Sequence, residues 1–149
     1  MTPPKDSPLT PDAPPRTLWG VAPSPDDFAA MAEAALEAIG EPHRSQAGNV
    51  VIRIEDLADA ETLEALFIDD PFELTGLYSG VALTLETVSA PSSEPPVVWL
   101  YRLAILDEWM QRGDVALEDL VAHVLVHELG HHFGWSDEAM HAAENRAED

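Results

Sequence analysis

The chain of 149 residues has no cysteine and only seven lysines and arginines. It also has no apolar run approaching the roughly eighteen residues of a transmembrane helix. Without cysteine there is no disulfide framework and no thiolate ligand, so any bound metal must be held by histidine and carboxylate. That donor set favours an open catalytic site over a closed cysteine-type structural one. Against the seven basic residues stand 28 acidic ones, for a formal charge of −21. A chain without a basic footprint does not neutralise phosphates, so nucleic acid and anionic membrane surfaces are not expected partners. The acidic excess gives solubility by self-repulsion, and the same field would draw in basic peptides. The opening MTPPKDSPLTPDAPP lacks the apolar region of a signal peptide, so a cytoplasmic location is expected.

The 46% hydrophobic content suffices for one core of modest size. Residues 1–23, rich in proline and poor in apolar runs, read as a disordered tail; residues 24–149 read as a single domain. Ser24-Pro25-Asp26-Asp27 is a helix start, with serine as N-cap and proline at the first position. Phe28, Met31, Ala35 and Ile39 form its apolar stripe, and Gly40 and Pro42 stop it. Asn49–Glu55 alternates as a strand, with Val50, Ile52 and Ile54 on one side. A short helix is expected at 60–67 and a turn at Asp69-Asp70-Pro71. Residues 76–80 read as a glycine-bounded bend into a strand, Val81 to Glu86. A loop follows at 90–96, then a strand at Val97–Arg102. Residues 103–112 fit a short helix or a loop. A long helix over 115–133, with Asp114 as N-cap, buries Leu117, Leu120, Val121, Val124, Leu125 and Leu129. Ser136–Glu144 reads as a helical tail.

The informative segment is HELGHHFGWSDEAMH, residues 127–141. It contains His127, Glu128 and His131 as H-E-x-x-H, extended by Gly134 and Asp137. Residues four apart share a helix face, so His127 and His131 can point two imidazole nitrogens at one ion. Glu128, beside the first ligand but rotated around the helix, is placed to act as a base rather than to bind. Chance gives a bare H-E-x-x-H in about 2% of chains this long, and the added glycine and aspartate lower that by a further factor of about 400. The additions also make mechanical sense. Glycine tolerates the left-handed conformation that ends a helix, so Gly134 turns the chain and Asp137 can return as third ligand. His141 is the alternative third ligand, at the cost of a longer return. His123, one turn before His127, reads as a helix-face histidine before a ligand. His132 reads as supporting the ligands from behind or as exposed. Asp107 and Glu118 are candidates to orient a ligand imidazole. Met140 is a candidate floor under the site. Tyr78, Tyr101 and Arg102 could stabilise an oxyanion but are equally explained by strand packing.

This segment, with GLYSGVALT at 76–84 and WLYRLAIL at 99–106, resembles the small bacterial minimal zincin-like peptidases with an MMP-like domain. The resemblance runs from about Phe28 onward and departs at Ala104, where proline is expected. It implies a compact α/β (α+β) fold, a small mixed sheet packed on the active-site helix. It also implies Zn2+ on His127, His131 and Asp137, with Glu128 as catalytic acid and base. The expected activity is zinc-dependent hydrolysis of a peptide or protein substrate, laid as an added strand along a sheet edge for which Val81–Glu86 is the candidate. The alternative is a zinc-binding interaction module of the same fold without turnover.

Overall fold

The computed structural model describes residues 19–80 and 95–135. The first helix, α1 (Pro25–Ala38), begins with a reciprocal cap. The Ser24 hydroxyl accepts from the Asp27 N–H at 3.1 Å, and the Asp27 carboxylate accepts from the Ser24 N–H at 2.7 Å. Asp26 and Asp27 also complement the helix dipole. Phe28, Ala32, Ala35 and Leu36 are buried, with Met31 and Ile39 at the margin of the same core. The chain leaves α1 through Gly40 at φ +82° and enters the short α2 (His43–Gln46).

Strand β1 (Val51–Glu55) turns Ile52 and Ile54 toward the core and exposes Arg53 and Glu55, as its alternation requires. Helix α3 (Ala60–Ala65) is capped by Asp59, whose carboxylate accepts from the Thr62 N–H at 2.7 Å. Asp70 caps the single 3-10 turn Pro71–Glu73. Among the described residues, strands β2 (Gly76–Ser79) and β3 (Val97–Tyr101) form with β1 a sheet of order β1-β3-β2, with β1 parallel and β2 antiparallel to β3. Helix α4 (Arg102–Arg112) follows β3 directly and stops at Gly113, φ +73°. The last described helix, α5 (Leu117–Phe133), lies against α1 on one side and under β2 and β3 on the other. Among the described residues no helix is long and apolar enough to cross a membrane.

The fold is therefore α+β, a small mixed sheet with helices, and all six apolar residues expected to bury the long helix do so. Two local readings differ, and the one left open between helix and loop is decided. Residues 76–79 are strand and not bend, because pairing with β3 outweighs the weak strand preference of glycine. Residues 103–112 belong to a full helix. Asp114 is not the cap of α5, which begins behind Ala116 with no side-chain cap. There the α4–α5 turn is held instead by Trp109, whose indole N–H donates to the Val115 carbonyl at 2.8 Å. The strand expected at 81–86, residues 1–18 of the tail expected over 1–23, and the segment 136–149, with Asp137, Met140 and His141, lie outside the described residues.

Candidate metal centre

Helix α5 carries two adjacent stripes at i, i+4, i+8 spacing. Val124, Glu128 and His132 form the stripe that meets β2, while His123, His127 and His131 form the next one around. Gly76 and Tyr78, two apart on β2, face the helix together. A Cβ at Gly76 would stand 2.7 Å from Val124 Cγ1 and 3.2 Å from Glu128 Cγ. The close approach of strand to helix at Val124, with Glu128 beside it, thus requires glycine. Two residues on, the longer Tyr78 reaches His132: its hydroxyl lies 2.7 Å from His132 Nδ1.

His127, Glu128 and His131 each bring one ligand atom within 4.8 Å of the others, the one such group found among the described residues. The imidazoles stand edge to face, centroids 5.4 Å apart. Two imidazole nitrogens suit zinc and its first-row neighbours, so His127 and His131 fit a divalent metal with the Glu128 carboxylate close beside it. His131 is exposed and His127 half-buried, so the group is open to solvent on the histidine side. Glu128 is only 9% exposed. Burial pushes its carboxyl above the ordinary 4.5, while the charges of His131 and His127 and a hydrogen bond from the Tyr78 backbone N–H pull the other way.

The helix ends as Gly134 predicts. At φ +75° its N–H reaches the His131 carbonyl at 3.2 Å, and the Trp135 N–H reaches the Gly130 carbonyl at 2.9 Å. This paired closure turns the chain immediately after the second histidine. Behind it, the His43 ring packs on Phe133 and Trp135 and ties α2 to the helix end.

A cleft of about 220 Å³ opens beside the group, lined by His127, Glu128, His123, Thr75, Glu108 and Arg112. Glu108 and Arg112 form an i, i+4 ion pair at 3.4 Å on α4. Neither stood out in the sequence, where residues 103–112 carried no firm helical assignment. His123 lines the cleft but lies outside the compact three-residue group. Of the two carboxylates expected to orient an imidazole, Asp107 accepts from Gln111 at 2.7 Å and Glu118 borders a groove against α1. Of the oxyanion candidates, Arg102 is engaged by Asp56 at 3.0 Å and the Pro23 carbonyl at 2.8 Å. Tyr101 is buried, and burial, then the charges of Glu55, Asp59 and Glu128, push its phenol up to about 12, so it stays neutral. His132, expected behind the ligands or exposed, is fully buried.

A mixed sheet resting on a helix that carries H-E-x-x-H and closes at a glycine defines a zincin. The model of the zincin-like metallopeptidase family matches residues 47–147, from just before β1 through the segment beyond α5, and the chain belongs to that family. No curated protein matches the chain.

Proposed function

We propose that this protein is a zinc-dependent peptidase. The observation that supports this most is the split environment of one helix turn. His127 lines a cleft and His131 is exposed to solvent, while Glu128 is nearly buried under β2, an edge strand among the described residues. His127 and His131 would hold the ion, with Asp137 as the third ligand beyond the Gly134 turn. When bound, zinc supplies Lewis acidity, which acidifies water and polarises a carbonyl. Glu128 then takes the proton of the attacking water and returns it to the leaving amine. Its partly desolvated carboxylate is a stronger base than one in water, while the Tyr78 N–H holds it in place.

The substrate class in this reading is a peptide or protein. The Tyr101 N–H donates to the Thr75 carbonyl at 2.9 Å, so Thr75 faces β3. By alternation Gly76 and Tyr78 turn their backbone groups to the side of β2 away from β3, where the Tyr78 N–H meets Glu128 and the Gly76 N–H and the two carbonyls face an added strand. An extended chain added there would run beside Glu128. The charge of −21 argues against nucleic acid or an anionic membrane in that place. Metal analysis of the purified protein, coupled to cleavage of a peptide library, tests the reading. Zinc with cleavage is expected; zinc without cleavage would leave a binding module.

A pH dependence follows for the metal-free protein. The folded carboxyl of Glu128 titrates above its unfolded value. Its stabilising contribution is therefore present below the ordinary glutamate range and is lost as pH rises through the raised value. Urea denaturation across that interval should show wild type losing stability relative to Glu128→Gln. Parallel profiles would mean that the carboxylate is as well solvated folded as unfolded.

A further inference from the structure

We propose that His132 is a positioning residue for Glu128 and acts through Tyr78. The inference rests on the reading of Glu128 as the general base. His132 is 0% exposed, and both its ring nitrogens are engaged. Nε2 lies 3.1 Å from the Gln46 carbonyl oxygen, and Nδ1 lies 2.7 Å from the Tyr78 hydroxyl. A carbonyl can only accept, so Nε2 carries the proton. In the neutral ring Nδ1 is then the acceptor, and the Tyr78 hydroxyl donates to it. The α2 backbone thereby sets the tautomer that receives Tyr78.

Tyr78 is held at both ends of its reach. Its hydroxyl is fixed to His132, and its backbone N–H donates to the Glu128 carboxylate. Glu128 and His132 are four apart on the same helix face, so strand and helix are joined at two points one turn apart. Gly76 brings the strand close enough for the first contact. The ring of Tyr78 spans to the second, edge to face with His132 at 5.5 Å. Without the hydroxyl contact, β2 keeps its pairing with β3 but loses its anchor to the helix. The amide that orients Glu128 is then free to drift. Sub-ångström placement of a base matters to rate far more than to folding.

The test uses the full chain. In Tyr78→Phe, hydrogen exchange of the amide at position 78 in the metal-free protein should quicken by about five- to tenfold, the loss of one hydrogen bond. The amides of Leu77 and Ser79, turned to β3, should keep their protection. With zinc restored, kcat should fall by about the same factor while KM and zinc affinity hold. A pair of His132 variants separates positioning from packing. His132→Asn keeps an acceptor near the Nδ1 position and should retain most of kcat. His132→Gln keeps a donor near the Nε2 position, loses the Tyr78 contact and should not. Equal losses in the two, or an amide at position 78 and a kcat unmoved by Tyr78→Phe, overturn the proposal. If wild type cleaves no peptide, the peptidase reading fails, and exchange alone decides the linkage: unchanged protection sinks it and faster exchange upholds it.

Discussion

Replacing Glu128 by glutamine is expected to lower kcat/KM by at least about a hundredfold, the low end of what general acid–base catalysis contributes, and to leave zinc binding intact. Glutamine matches the shape of glutamate, and its carbonyl oxygen can still accept from the Tyr78 N–H that engages Glu128. The side chain should stay packed against Gly76 of β2. What it loses is the capacity to take a proton and give it back. His127 and His131 lie on the neighbouring stripe and keep their positions, so the ion has no reason to leave. Calorimetric zinc titration alongside peptide cleavage reads both quantities. Undiminished cleavage by the variant would remove Glu128 from the chemistry, and loss of zinc would make it a ligand.

Removing the metal should abolish hydrolysis and leave the chain folded. The helix is anchored by a face the metal does not touch: Leu117, Leu120, Val121, Leu125 and Leu129 are at most 2% exposed. They share a core with Phe28 and Leu36 of α1 and Val98 and Leu100 of β3. Small metal-nucleated domains, which unfold without their ion, lack such a core. The chelated protein should therefore keep its far-UV circular dichroism. Zinc returned at a thousandfold above its dissociation constant should add about 4 kcal/mol of stability by linkage, seen as a rise in Tm, and restore cleavage. Collapse of the spectrum on chelation would mark the ion as structural; an unmoved Tm would mean no ion binds the folded chain.

Much of this protein is local in origin. The cap at Ser24, the 3.6-residue stripe of α1, the alternation of β1 and the glycine turn at Gly134 each depend on residues within a turn or two of one another. They were legible because spacing alone sets which side chains share a face. The same holds for His127, Glu128 and His131, whose proximity follows from helix geometry. The assignments of Asp137 and His141 rest on sequence alone.

What spacing does not set is what lies opposite a face. His132 reads as polar and adjacent to ligands, yet it is buried because Tyr78, 54 residues earlier, and Gln46, 86 residues earlier, meet both its nitrogens. Gly76 reads as a bend and is instead the point where a strand passes within van der Waals range of Glu128. Residues 103–112 are ambiguous alone; as α4 they carry Glu108 and Arg112 to the cleft. The order of residues determined the helix that carries His127, Glu128 and His131 and the class of chemistry it can host. Only the tertiary structure decided which of its neighbours shape the site, because burial is a property of contacts between distant segments and helical periodicity carries no information about them.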